Sequence, residues 1–467
     1  MSPTSYRINI DESRLEDLRK RLDLATFPTE IEDAGWAYGS PLADVKRLTS
    51  YWRNEYDWRK VEVQLNELPN FETTVTVDGF EDIELHFLHQ PSSAPDAVPL
   101  LFVHGWPGSY LEVSKMLAAL STSANSVSFH VVAPSLPNFG WSADVKKKGF
   151  GLGEYAEACH RLMQSLGYNK YGDSKLLKVV IGAYSCLASH ITMVRADPPE
   201  LSTNPLLAIQ HALTPYTEDE QKGLARSDWF NKEGTGYRLI QSTKPQTVGY
   251  ALADSPVALL AWIYEKLHDW TDSYPWTDDE ILTWVSIYWF SRAGPAASIR
   301  IYYEATHTST QATRERIQRY IGVKLGLCYA PKELSILPRT WGRTLGPVVF
   351  ESEKKQGGHF LAYEQPDEIV ADLRAMFGSS GACYNILNLG FYTKHNDNHT
   401  TFQPFLLGPR NCIGRNLAYH ECRLLLTEVV WNFDVQLMDE SRNWTDQKVF
   451  SFWDKPSLWV KLRRVVR

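Results

Sequence analysis

The sequence lacks paired cysteines. Its six, Cys159, Cys186, Cys328, Cys383, Cys412 and Cys422, are scattered and form no CxxC. That spacing excludes the disulfide framework of small secreted domains and suits a reduced, cytoplasmic chain. A basic excess is also missing: 48 Lys and Arg stand against 55 Asp and Glu, for a formal net charge of −7 and an isoelectric point near 6.0. With no basic tract either, the balance argues against a nucleic-acid partner. The N-terminus, MSPTSYRINIDESRLEDL, is too polar for a signal peptide or a membrane anchor, and no transmembrane segment is expected. Internal repeats and long low-complexity tracts are absent. What is plentiful is apolar and aromatic: 43% hydrophobic residues, 16 Trp and 23 Tyr in 467 residues. That length and composition imply a large core and two or three domains.

The chain is organised around VPLLFVHGWPGS, Val98 to Ser109. The apolar run Val98 to Val103 has the character of a strand buried on both faces. It breaks at His104-Gly105-Trp106-Pro107-Gly108-Ser109, where two glycines and a proline let the backbone turn tightly. Amides turned into a cleft at the carboxyl end of a strand, here those of Gly105 and Trp106, have the form of an oxyanion hole. Before it, helices are expected over residues 8 to 24 and around Pro41 to Asn54, then antiparallel edge strands at Phe71 to Val77 and Ile83 to His89. After it, strands are expected at Phe129 to Ala133, Leu176 to Ile181, Leu206 to His211, Leu325 to Tyr329 and Pro347 to Phe350, and a closing amphipathic helix at Pro366 to Phe377.

HGWPGS, PSLPNFGWS (Pro134 to Ser142), YDWR (Tyr56 to Arg59) and GGHF (Gly357 to Phe360), in that setting, resemble the microsomal-type epoxide hydrolases of the α/β-hydrolase fold over about residues 5 to 377. The resemblance implies an α/β fold with an N-terminal helical segment (1–95), a hydrolase core (96–212 and 323–378) and a helical lid (213–322). It implies a small hydrophobic epoxide as substrate, a diol as product and no cofactor. A homodimer is compatible with it.

The family's nucleophile is the aspartate of Gly-Gly-Asp-Trp-Gly, which attacks an epoxide carbon and forms an ester. This chain has Gly182-Ala183-Tyr184-Ser185-Cys186-Leu187-Ala188-Ser189-His190 where that motif is expected. Cys186, Ser185 and Tyr184 compete for the vacant place, and none has small residues on both sides as the tight elbow requires. Asp173 precedes the expected strand Leu176 to Ile181. At about 3.3 Å per residue it would lie roughly 20 Å from the cleft, so it is set aside unless that stretch is not the strand. A retained intron or a misjoined exon would produce a block substitution of this kind.

The resemblance carries further roles onto this sequence. Two lid tyrosines, Tyr237 and Tyr302 (with Tyr303 as the fallback for the second), would donate their phenols to the epoxide oxygen. His359, on the glycine-rich loop after the last strand, would be the water-activating base. Glu333, 26 residues earlier (359 − 333), would orient it. The second half of the family reaction is thus represented while the first is not. An impaired epoxide hydrolase, an ester or lactone hydrolase or cyclase using the same cleft, and a non-catalytic fusion product all remain open.

Past Phe377 the composition shifts. A linker (379–399) leads to Phe402-Gln403-Pro404-Phe405-Leu406-Leu407-Gly408-Pro409-Arg410-Asn411-Cys412-Ile413-Gly414. This resembles the cysteine-ligand loop of the haem-thiolate cytochrome monooxygenases, in which Cys412 would ligate iron and Arg410 a propionate. The resemblance covers only about residues 396 to 467, read as a short α+β fragment (400–467). Some 70 residues cannot enclose a haem by themselves, so neither haem nor any other metal is expected.

Overall fold

A mixed sheet of nine strands carries the larger part of the chain. In chain order these are β1 (Thr4–Ser5), β2 (Asn70–Val75), β3 (Ile83–Gln90), β4 (Val98–Phe102), β5 (Phe129–Pro134), β6 (Tyr171–Ser174), β7 (Cys186–Ile191), β8 (Lys324–Tyr329) and β9 (Val348–Glu353). Their spatial order is β1-β2-β3-β5-β4-β6-β7-β8-β9. The first three strands pair antiparallel, and β3 pairs antiparallel with β5. From β5 to β9 every pairing is parallel. Every residue of β4 is buried, as a central strand covered on both faces requires. This is the α/β-hydrolase fold, with HGWPG leaving the carboxyl end of β4.

In this computed structural model the chain divides into two compact units, Met1–Leu389 and Gly390–Arg467. Described are residues 3–122, 126–174, 186–307 and 321–384, together with four short strands of the second unit. In that unit β10 (Phe433–Leu437) pairs antiparallel with β13 (Val460–Arg464), and β11 (Lys448–Val449) with β12 (Trp453–Asp454). Among the described residues no helix is long and apolar enough to cross a membrane.

The N-terminal segment forms α1 (Glu12–Asp23), α2 (Leu42–Asn54) and α3 (Trp58–Asn66). Leu15, Leu18 and Leu22 of α1 are buried at helical spacing. The YDWR motif has a local cause. Asp57 caps α3 by accepting the amides of Arg59 and Lys60. The Trp58 indole and the Arg59 guanidinium both donate to Glu62, which also accepts the Ile10 amide. The segment is laid on the core rather than forming a site of its own.

One expected strand differs. Leu206 to His211 lies within a helix, α5 (Pro205–Leu213), following α4 (Leu152–Ser165). Pro205 takes the first helical position and the run Leu-Leu-Ala-Ile-Gln-His-Ala-Leu holds a single β-branched residue, so helix preference prevails over an apolar run without periodicity. The strand beside β8 is instead β7, Cys186–Ile191. Leu176 to Ile181 lies outside the described residues. The lid then runs through α6 (Glu218–Glu233), α7 (Gly236–Thr243), α8 (Pro245–Asp254), α9 (Pro256–Asp269), α10 (Asp278–Trp289) and α11 (Arg300–His307). After β9 come α12 (Leu361–Glu364) and α13 (Pro366–Phe377).

Candidate active site

The bend after β4 is held from three directions. His104 accepts the Leu136 amide at Nε2, which fixes the bend to the PSLPNFGWS loop. The Trp284 indole donates to the Pro107 carbonyl at 2.5 Å, and the Tyr288 phenol to that of Gly108 at 2.6 Å, both from lid helix α10. Gly108 leaves room for a neighbour: a Cβ there would stand 2.0 Å from the Glu112 carboxylate. Among the described residues, the Gly105 and Trp106 amides donate to no protein acceptor. They remain available to an oxygen of a bound molecule.

The lid brings its tyrosines to this bend. The Tyr237 ring stacks on Trp106 with centroids 5.2 Å apart, and the Tyr302 ring meets Trp106 edge-on at 5.8 Å. The ring centroids of Tyr237 and Tyr302 lie 5.7 Å apart in a T-shaped pair. Burial pushes both phenols above the ordinary tyrosine range, so both stay protonated at neutral pH. Tyr303 points elsewhere. It stacks on His307 and lines a groove of about 450 Å³ along Pro245, Gly294 and Arg300, which includes neither Tyr237 nor His359.

His359 joins the same cluster through Trp270. It follows Gly357, whose φ of 112° belongs to glycine, and Gly358, where a Cβ would stand 2.3 Å from the Trp270 carbonyl oxygen. The His359 amide donates to that carbonyl at 2.7 Å. Its Nδ1 stands 2.7 Å from Glu333 Oε1, and both side chains are buried. Glu333 Oε1 also accepts the Leu334 amide, so the carboxylate is fixed before it orients the ring. With Nδ1 committed as donor, Nε2 is the acceptor.

Trp270, which the sequence did not single out, joins the two sides. Its ring centroid lies 5.1 Å from that of Tyr237 and 5.2 Å from that of His359. Lys266, one turn earlier on α9, is buried with its ammonium 4.9 Å from the Tyr237 ring centroid and 5.9 Å from that of Trp270. Its position within a helix hydrophobic on several sides gives no sign of this in the sequence.

The attacking position is a different matter. Cys186 is the first residue of β7 and pairs with Tyr171 at the amino end of β6. It is buried, and its thiol donates to the Ala188 carbonyl. The neighbouring register sets Leu100 against Gly172, so Tyr171 stands about level with Pro99, five residues before His104. At about 3.3 Å per residue that is on the order of 15 Å from the bend, and Cys186 is not at the elbow. Asp173 lies within β6 and not ahead of the central strand, opposite Leu101. It is still three residues short of the level of His104, roughly 10 Å. Residues 175–185, Tyr184 and Ser185 among them, lie outside the described residues. The sequence there, KLLKVVIGAYS, holds no carboxylate.

A second buried cluster lies off this site. His190, Cys328 and Asp372 offer ligand atoms within 4.8 Å of one another. The Lys354 ammonium already stands 2.7 Å from Asp372, which also accepts from Ser352 at 2.5 Å and from His190 at 3.1 Å. A cation is built into the cluster, which fits an internal ion network better than a metal centre.

The sheet order, with HGWPG at the carboxyl end of β4, is that of the α/β-hydrolase fold. Family models for the epoxide hydrolase N terminus match residues 3–113, and for the alpha/beta hydrolase fold residues 98–172. A relative from Stigmatella aurantiaca that carries the epoxide hydrolase name is 36% identical over 393 residues, covering 80% of this chain and 84% of its own. Epoxide hydrolase 1 of Sus scrofa is 30% identical over 414 residues, covering 80% and 88%. The solved Aspergillus niger epoxide hydrolase superposes with a TM-score of 0.68 at 31% identity, over 80% of this chain and 95% of that one. The juvenile hormone epoxide hydrolase of Bombyx mori gives 0.71 at 27% identity, over 80% and 93%. The chain belongs to the epoxide hydrolase family. A Cytochrome P450 model matches residues 390–458.

Proposed function

We propose that this chain converts a small apolar epoxide to a diol by direct attack of water. Tyr237 and Tyr302 donate to the oxirane oxygen. His359, oriented by Glu333, takes a proton from a water at Nε2, and that water attacks an epoxide carbon as the carbon–oxygen bond breaks. The alkoxide then takes a proton from a phenol or from the imidazolium. No covalent ester belongs to this route: the family's Gly-Gly-Asp-Trp-Gly is absent from the sequence, and KLLKVVIGAYS in its stead carries no carboxylate. The supporting observation is that the Tyr237 ring and the His359 imidazole pack on the same Trp270 indole, at 5.1 and 5.2 Å. Donor and base then flank a single aromatic wall.

The test is a single turnover in H₂¹⁸O with enzyme in excess over a styrene-type epoxide. Labelled diol is expected. Unlabelled first-turnover diol would mean that a protein carboxylate attacks, and no turnover above a His359→Gln control would reject the activity. An ester or lactone is the second reading, favoured by the free Gly105 and Trp106 amides, which suit the oxyanion of acyl transfer. Hydrolysis of p-nitrophenyl acetate by the wild type and not by His359→Gln would support it.

We further propose that the C-terminal unit, Gly390–Arg467, descends from a haem-thiolate monooxygenase by gene fusion and takes no part in this reaction. The residues present do not fit a haem. The described part of the unit is four strands of two to five residues, and a matched span of residues 390–458 is too short to wall in the macrocycle. Cys412 lies outside the described residues.

A further inference from the structure

Glu364, at the end of α12, is buried and belongs to none of the roles above. Its carboxylate faces the loop that carries His359. The Gly358 amide donates to both of its oxygens at 3.1 Å, and the Asp272 amide donates to Oε2 at 2.8 Å. Asp272 answers in the other direction, its carboxylate accepting the Gly357 amide at 3.0 Å. With the His359 amide bonded to the Trp270 carbonyl, three consecutive amides of the loop end on one lid turn or on the carboxylate that clasps it. The same turn reaches Glu333. Arg226 of α6 donates to the carbonyls of Asp269, Lys332 and Glu333 at 3.2, 2.8 and 3.0 Å. The two halves of the base dyad, which arrive from separate strands, are thus referred to a common lid turn at Asp269–Asp272.

We propose that Glu364 is a positioning residue for His359, clamping the Gly357–His359 loop to this lid turn so that the imidazole stands in register with Glu333 and the lid tyrosines. The inference rests on the base role given to His359 above. A carboxyl group suits the geometry, since its two oxygens accept from two backbone amides. Charged and titratable groups around it are Glu333, Asp272 and Asp269, the Arg226 guanidinium and the Tyr274 phenol.

The test is Glu364→Gln in the full chain, read two ways. The amide keeps one acceptor for two donors, so deuterium uptake by the Gly357–His359 peptide should quicken about tenfold or more. Turnover should show kcat down about tenfold with KM within about twofold, because the base is misplaced while the substrate walls are not. Unchanged uptake overturns the proposal whatever happens to kcat, and quickened uptake with unchanged kcat overturns it as well. If the wild type forms no diol, the functional reading fails by itself, and uptake alone decides whether the clamp exists. Should Glu364→Gln not fold, Asp272→Asn removes the acceptor of the Gly357 amide and is judged by the same two readouts.

Discussion

His359 Nδ1 lies 2.7 Å from Glu333 Oε1 although the two residues come from loops after different strands. The bond fixes the ring's tautomer and orientation, which leaves Nε2 to take a proton from water. His359→Gln should therefore lower kcat by roughly 10²–10⁴, the range that general-base catalysis supplies. Glu333→Gln should lower it less, since the imidazole remains. Steady-state diol formation by both variants, with circular dichroism to confirm folding, checks the order.

The phenols are predicted to act through their hydroxyls alone. Tyr237→Phe and Tyr302→Phe each keep the ring packed against Trp106 and remove one donor to the developing alkoxide. A hydrogen bond to a charged group contributes about 1.5–3 kcal/mol, so each change should cost roughly 10–100-fold in kcat and little in KM. Equal losses in binding and turnover would mean that the rings, not the hydroxyls, matter.

Cys186→Ala should leave turnover unchanged. The residue is buried at the amino end of β7, on the order of 15 Å from the HGWPG bend. Stability should fall by about 1 kcal/mol for the small void. An acyl or epoxide probe that labelled Cys186 and stopped the enzyme would contradict the register of β6 and β7.

The elements that sequence made legible are those whose chemistry is local. GGHF needs glycine at Gly357 for its positive φ, and a Cβ would stand 2.0 Å from the Glu112 carboxylate at Gly108 and 2.3 Å from the Trp270 carbonyl at Gly358. Tyr237 and Tyr302 were found through motif position, and the lid folds them onto one tryptophan. What escaped was decided by packing between distant segments. Trp270, Lys266 and Glu364 carry no motif, and their contacts with Tyr237 and the His359 loop come from how the end of α9 meets the loop after β9. The apolar run LLAIQH invites a strand, yet it follows its proline into a helix, and the sheet place next to β8 is taken by CLASHI.

The pH dependence of stability should carry two opposite signatures. Asp372 is the first. Burial would raise its carboxyl, but hydrogen bonds from His190, Lys354 and Ser352 hold it at about 2, below the ordinary 3.8. A lowered native pKa means that the unfolded chain takes up protons first as pH falls. The network's contribution is therefore complete above about pH 4 and is lost as pH drops toward 2. Glu364 behaves the other way. Burial pushes it up to about 7 from 4.5, against the amides of Asp272 and Gly358 and together with the charge of Glu333. The native state here holds the proton more tightly than the unfolded chain, so its contribution is complete below about pH 4.5 and lost as pH rises through 7. The span corresponds to about 3 kcal/mol at most. Thermal unfolding of the wild type should thus lose midpoint between pH 5 and 8 relative to Glu364→Gln, which has no carboxyl to ionise. Lys354→Met should remove the cation from Asp372 and raise the pH at which acid unfolding begins. Parallel wild-type and Glu364→Gln melting curves across pH 5–8 would mean that Glu364 is ionised throughout that range, with enough stabilisation from its two amides to overcome its burial.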